Sequence, residues 1–425
     1  MKRSFIFIFL IFLWLHFQII PVNAETTSVE LWKRYEEAYK MDLKKDMTDI
    51  LSSIHDISLK NKNYGDSLKA LFKKMLIEDE KGISKIQSLE NEIKKADGVI
   101  KPIMLIVLAG WYDNEYLTDM YGQTMWRKNK PGSKSSNDPK SWSTHQTYEK
   151  ISLIYQDALS YENLLTGAKP SDFENLLEKG SLPSDLTPTM YDFAANKAAD
   201  FYWKAVYKKI DENDKFEAKL NPDIFERSDK FISCSLKCDD PDSPKFQLLK
   251  IFQKLLSIHQ NDKDKNAFVN YDLRRIIFVK NDISDNKFYI KRFNEIINEF
   301  SGVGSTADAY YLMAEELNEN KKSDDALELC EKCIKKYPDT EGARDCERLS
   351  LKIAPKSFDI IGDYRLASDR KNHISIVCSN LNSVYFKAVK DDWKNYRDFG
   401  FNQDGLPLNN DKVVESFLSK KPDYE

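Results

Sequence analysis

Histidine is scarce in this chain. There are five in 425 residues, His16, His55, His145, His259 and His373, and no two stand at the spacing of a metal-binding pair. No Ser-His-Asp context can be assembled from them. Phosphate cradles are missing as well: "SGVGST" (Ser301 to Thr306) holds Gly302 and Gly304, but no Gly-Lys-Ser/Thr follows. "CDDPD" (Cys238 to Asp242) gathers carboxylates without the spaced ligands and ordering glycine of a calcium loop, which fits a solvated acidic loop better. Neither charge sign dominates, with 64 Lys and Arg against 68 Asp and Glu, so the composition carries no nucleic-acid footprint. Past the N-terminus no apolar run approaches the roughly 18 residues of a membrane helix. From these absences we expect no enzyme, no catalytic or metal-ligating residues, no cofactor, no nucleic-acid partner and no membrane span in the exported chain.

What is present begins with a leader. Lys2 and Arg3 precede the apolar run Phe5 to Leu15 and the small-residue end Pro21 to Ala24, the layout of a signal peptide cleaved after Ala24. Glu25, not cysteine, would then lead the mature chain, which argues against a lipid anchor there. The expected destination is the periplasm or cell surface of a Gram-negative bacterium. Six cysteines, Cys234, Cys238, Cys330, Cys333, Cys346 and Cys378, would enter a compartment that permits disulfides.

The fold class expected is mainly α, a helical bundle with a tetratricopeptide-like repeat, followed by an incomplete C-terminal β-sandwich segment. We place a helical domain at 25–240, the repeat region at 241–355 and the β segment at 356–425. Apolar residues recur at three and four in "VELWKRYEEAYK" (Val29 to Lys40) and "YEKISLIYQDALSYENLL" (Tyr148 to Leu165). A loop is expected around Pro131 and Gly132, and a break over 221–245, where prolines and aspartates cluster. In "FQLLKIFQKLLSIH" (Phe246 to His259) Leu248, Phe252, Leu255 and His259 share a face, and His259 reads as a satisfied histidine at a helix interface. After Pro355, "SFDIIG", "HISIVCS" and "SVYFKAV" read as strands, the second half-buried with Ile374, Ile376 and Cys378 inward. A sandwich needs about seven strands, so a partner, a second copy or further chain would have to complete this one.

The stretch "DDALELCEKCIKKYPDTEGARDC" (Asp324 to Cys346) carries a Cys-x-x-Cys that could be redox centre, metal site or scaffold. Against the tetratricopeptide pattern, Tyr310, Ala314, Ala326 and Pro338 take the aromatic, small and proline positions, with Met313 and Leu317 completing one apolar stripe. Ser323 is placed to cap the second helix. Cys330 and Cys333 then lie two turns into that helix on its buried side. A redox pair would stand at a helix N-terminus, where the dipole lowers a thiol pKa, and zinc would need a second ligand pair. The scaffold reading is therefore favoured. Cys346 falls in the next, antiparallel helix, where Cys330 and Cys346 can face each other as a disulfide contributing about 3 kcal/mol by the loop-entropy account.

"CIKKYPDTEGARDCERLSLKIAPKSFDI" (Cys333 to Ile360) followed by "SVYFKAVKDD" resembles the N-terminal region of the large exported alpha-macroglobulin proteins of Bacteroidetes-type bacteria. "DPKSWSTHQTYEKISLIYQDAL" (Asp138 to Leu159) and "TPTMYDFAANKAADFYW" (Thr187 to Trp203) look like that family's leading helical segment, in matching order. The resemblance implies a helical leader before the first macroglobulin-type β-sandwich of a protease-trapping protein, with proteases as partners of the full-length parent. None of the six cysteines begins the Cys-x-Glu-Gln of the family's thioester, so no functional residue carries over. The competing expectation is an exported helical binding module for glycan or protein partners. Trp111, Trp126 and Trp142, which flank the Pro131 loop, would stack on sugar rings in that case, or else anchor helix packing.

Overall fold

The computed structural model describes residues 27–80, 82, 84–118, 125–127, 138–177, 184–210, 216–217, 221–282, 286–361, 375–385, 415 and 419–421. The expected leader 1–24, the Pro131 loop, Ile374 and most of the third β stretch lie outside these residues. Among the described residues the protein is mainly α, with fifteen α-helices and one antiparallel pair of strands. No described helix is long and apolar enough to cross a membrane. The chain divides into two compact units between Met313 and Ala314.

The first unit opens with α1 (Ser28–Lys40), α2 (Lys44–Lys60) and α3 (Tyr64–Asp79), joined by three-residue turns that reverse the chain. Each turn has the same construction. At the first, Asp42 adopts φ 51°, its N–H bonds the Tyr39 carbonyl and the N–H of Leu43 bonds that of Ala38. Lys62 (φ 59°) does the same between α2 and α3, satisfying the carbonyls that a helix end leaves without partners. Glycine is the usual residue in this left-handed position, and here an aspartate and a lysine occupy it. Leu31, Tyr35, Met47, Leu51, Ile54 and Ile77 fill a small core between these helices.

A larger core follows through α4 (Lys85–Lys95), α5 (Ile100–Tyr112), α6 (Thr144–Ser160), α7 (Glu162–Thr166), α8 (Met190–Tyr207), α9 (Ser228–Ser233), α10 (Pro244–His259) and α11 (Asn266–Val279). At its centre α8 buries Ala194, Ala195, Ala198, Ala199 and Ala205, and these small side chains let α6 and α10 approach closely. The aromatic residues of the same helix fill the space beside them: Phe201 stacks on Tyr148 at 5.5 Å and packs against Tyr155 at 5.4 Å. All the predicted inward residues of α10, from Leu248 to His259, are buried. Helices of 244–279 and of 64–207 thus share one core, so the expected division at residue 240 is corrected: the compact units part at Met313–Ala314. Proline and aspartate break the helix near 240, but the apolar faces on either side of the break still meet.

A buried side chain from α11 helps to order the break itself. Arg275 of α11 is wholly buried and donates to the carbonyls of Ile224 (2.6 Å) and Glu226 (2.9 Å), while Asp272 accepts from its Nε and Nη2 at 2.9 and 2.6 Å. Its guanidinium also lies 4.7 Å from the Phe231 ring, which holds α9 in place. The unit continues with α12 (Asn286–Glu299) and the first half of α13 (Thr306–Glu319).

The second unit contains α14 (Ser323–Lys336), α15 (Glu341–Ile353) and strands β1 (Ser357–Ile361) and β2 (Ser375–Ser379). The strands pair antiparallel with Phe358 opposite Cys378 and Asp359 opposite Val377. The expectation of a half-buried strand is corrected: β2 is exposed along its whole length, and Phe358 and Ile361 of β1 are exposed too. Alternation in a sequence marks which side a covering layer would take, and these two strands are exposed on both. Ser323 is corrected as well. Its hydroxyl donates to Asn318 Oδ1 at 2.9 Å, and α14 starts after Lys322 without a side-chain cap.

Candidate functional site

The sequence directs attention to the α14–α15 hairpin. Ala326, Cys330, Cys333 and Tyr337 recur at four, three and four, and all four are buried. Asp324 and Asp325 in the first turn and Lys335 and Lys336 in the last complement the dipole of α14. The chain turns at Pro338, and Thr340 caps α15 by accepting from the Ala343 N–H at 3.2 Å. Gly342, Ala343, Cys346 and Leu349 form the buried face of α15.

Packing these faces brings three sulfurs together. Cys330, Cys333 and Cys346 are each 0% exposed, and the Cys346 thiol is in hydrogen-bond contact with both of the others. None of the three is disulfide-bonded. The hydrogen bond from Cys346 lowers the Cys330 pKa from its ordinary value against the opposing effect of burial, and Ser350 adds to the lowering. The Cys346 thiol is pushed up by those same contacts, first Cys330 and then Cys333, and by burial. Among the described residues no group of three or more His, Cys, Asp or Glu is arranged to hold a metal ion. What the thiols can do where they stand is pack as small apolar groups or join across the hairpin.

The other positions taken from the repeat pattern have packing geometry. Tyr310, Ala314 and Ala326 are buried, as are Met313 and Leu317 of the same stripe, and Pro338 is exposed at the turn. The three tryptophans separate. Trp111 meets Phe72 edge-on at 5.9 Å, and Trp142 stacks on Tyr112 at 6.1 Å with ring planes 5° apart, so both take part in helix packing. Trp126 is 57% exposed.

A polar network escaped the sequence reading. His259, only 2% exposed, faces Asp262 Oδ2 through Nδ1 (2.6 Å) and Asp192 Oδ1 through Nε2 (2.7 Å). Asp192 is itself buried and accepts from the Tyr271 hydroxyl (2.9 Å), the Thr189 hydroxyl (2.7 Å) and the Thr189 N–H (2.9 Å). Tyr271 also stacks on the imidazole at 5.7 Å. A carboxylate oxygen at each ring nitrogen favours the imidazolium, in which both nitrogens donate. Burial draws its pKa down, but Asp192 and then Asp262 outweigh burial and hold it above 6.5. This network ties the N-terminus of α8 to α10 and α11. The spacing Thr189-x-x-Asp192 could have located the carboxylate as part of a capping box; nothing local pairs it with His259, 67 residues away.

Beside α6, α8 and α10 opens a cavity of about 500 Å³ whose walls include Gln247, Gln253, Lys250 and Lys254. Their polar groups are largely engaged by the protein: Gln253 donates to the carbonyls of Phe231 and Cys234, and Lys254 pairs with Glu162 at 2.7 Å. Compared with family models and with curated proteins, the chain matches none. The functional reading therefore rests on the residues and their geometry.

Proposed function

We propose that the chain is a non-catalytic helical scaffold that binds protein partners, the leading region of an exported alpha-macroglobulin-like protein whose full-length parent traps proteases. The observation that supports the scaffold part is the construction of its helical hairpins. The Asp42 and Lys62 turns of the first unit recur at Lys321, where the N–H groups of Lys321 and Lys322 bond the carbonyls of Asn318 and Leu317 and α14 follows at once. Short-turn hairpins of this kind stack by one apolar face and leave the other for partners. The macroglobulin part rests on the sequence resemblance.

A protease-shielding assay tests it. Incubated with serine and cysteine proteases, the chain alone should leave cleavage of large and small substrates unchanged. A product extended through macroglobulin β-domains with a Cys-x-Glu-Gln segment should protect large substrates while small ones are still cut. Hydrolysis by the chain itself, lost on changing one acidic residue, would overturn the reading. One observation favours glycan binding as a second function: the exposed indole of Trp126 is available for stacking on a sugar ring. That reading requires saturable binding to a glycan array, abolished in Trp126→Ala.

A further inference from the structure

We propose that Cys346 is the common partner of two alternative disulfides, one to Cys330 and one to Cys333, so that either bond can lock the α14–α15 hairpin while the third cysteine remains a thiol able to move it. The argument begins with spacing. Cys330 and Cys333 are three residues apart on one helix and share a face, so a single side chain opposite can reach both. Cys346 occupies that position, in hydrogen-bond contact with each sulfur. A staple with one intended bond needs two cysteines, and the third makes the pairing degenerate. All three are 0% exposed, so a bond formed among them is sheltered from reductant, and exchange with an outside reagent needs the hairpin to open first.

The oxidant is a disulfide of a small thiol, such as oxidised glutathione. Cys330 loses its proton and its thiolate attacks one sulfur of the oxidant, whose S–S bond breaks; the released thiolate takes up the proton. Cys346 then loses its proton and attacks the Cys330 sulfur of the mixed disulfide, expelling the second small thiol. Two cysteine thiols have been oxidised and one disulfide reduced to two thiols. Attack by the Cys333 thiolate on Cys346 transfers the bond from Cys330 to Cys333 and frees the Cys330 thiolate, with no net change of oxidation state.

Peptide mapping of the full-length protein decides the matter, because cleavage after Lys332, Arg344 and Arg348 puts the three cysteines on three different tryptic peptides. After refolding in a buffer of reduced and oxidised glutathione and trapping with N-ethylmaleimide, the wild type should give two linked pairs, Cys330–Cys346 and Cys333–Cys346. In each molecule the remaining cysteine should carry the maleimide. Cys330→Ser should retain the bond to Cys333, Cys333→Ser the bond to Cys330, each with a Tm several degrees higher oxidised than reduced, and Cys346→Ser should lose both. Three labelled thiols in the wild type, one pairing alone, a Cys330–Cys333 bond as the main product, or linkage of Cys346 to a cysteine outside the hairpin would each overturn the proposal. The wild-type map does so even if a serine variant fails to fold.

Discussion

Two carboxylates raise the pKa of His259 against the effect of burial, and this gives the protein a pH dependence of definite sign. A group whose pKa is raised on folding stabilises the fold fully below its unfolded value, near 6.5, and loses that contribution as pH rises through the raised folded value. For Asp192, burial pushes the pKa up, but His259 and Thr189 lower it further, so its contribution is present above the ordinary 3.8 and fades as pH falls through the lowered value. Melting temperature should therefore fall from about pH 6 towards pH 9 because of this pair. His259→Gln should flatten that slope and cost roughly 3 kcal/mol at pH 6, by leaving Asp192 buried without its cation. A wild-type Tm that climbs across the same range would refute the assignment. At the same scale, Lys62 and Lys321 hold left-handed conformations that cost an L side chain about 1–2 kcal/mol, while glycine loses about 0.5–1 kcal/mol in chain entropy. Lys62→Gly and Lys321→Gly should each raise stability by about 0.5 kcal/mol in urea unfolding.

Single elements divide into those legible from their letters and those shaped by what lies across from them. The α10 stripe from Leu248 to His259 was legible because period 3.6 with one apolar face has few other solutions. The same holds for the buried stripe of α14, where Ala326, Cys330 and Cys333 follow the helical period. The ordering of 221–233 was not legible, because Arg275 reaches it from a helix some fifty residues on. That arginine makes a sharp prediction. Arg275→Ala should destabilise by about 3–5 kcal/mol in chemical denaturation, since two backbone carbonyls lose their donors together and buried Asp272 keeps only the more distant Arg292, at 3.5 Å. Arg275→Lys should rescue little, because an ammonium cannot supply the planar set of donors that serves three acceptors at once. A loss below 1 kcal/mol for Arg275→Ala would show that the segment is held by other means.

For the whole molecule, the redox state of the compartment governs the chemistry open to the thiols. If Lys2 to Ala24 is a signal peptide, the chain recovered from the periplasm or cell surface of a Gram-negative host should begin at Glu25 by N-terminal sequencing. An intact N-terminus in the cytosolic fraction would remove both the export reading and the oxidising setting in which the hairpin disulfides form. By itself the sequence determined the helical class, the buried stripe of α14, the strand segments β1 and β2, and the helical hairpin that carries the cysteines, because periodicity and turn chemistry are local properties of the chain. Only the tertiary structure decided that residues on both sides of 240 share one core, that Trp111 and Trp142 serve packing while Trp126 is exposed, that His259 is bound by Asp192, and that Cys346 meets two thiols. Each of those outcomes depends on which faces meet across tens of residues, and that is set by burial of complementary surfaces rather than by the spacing of letters along the chain.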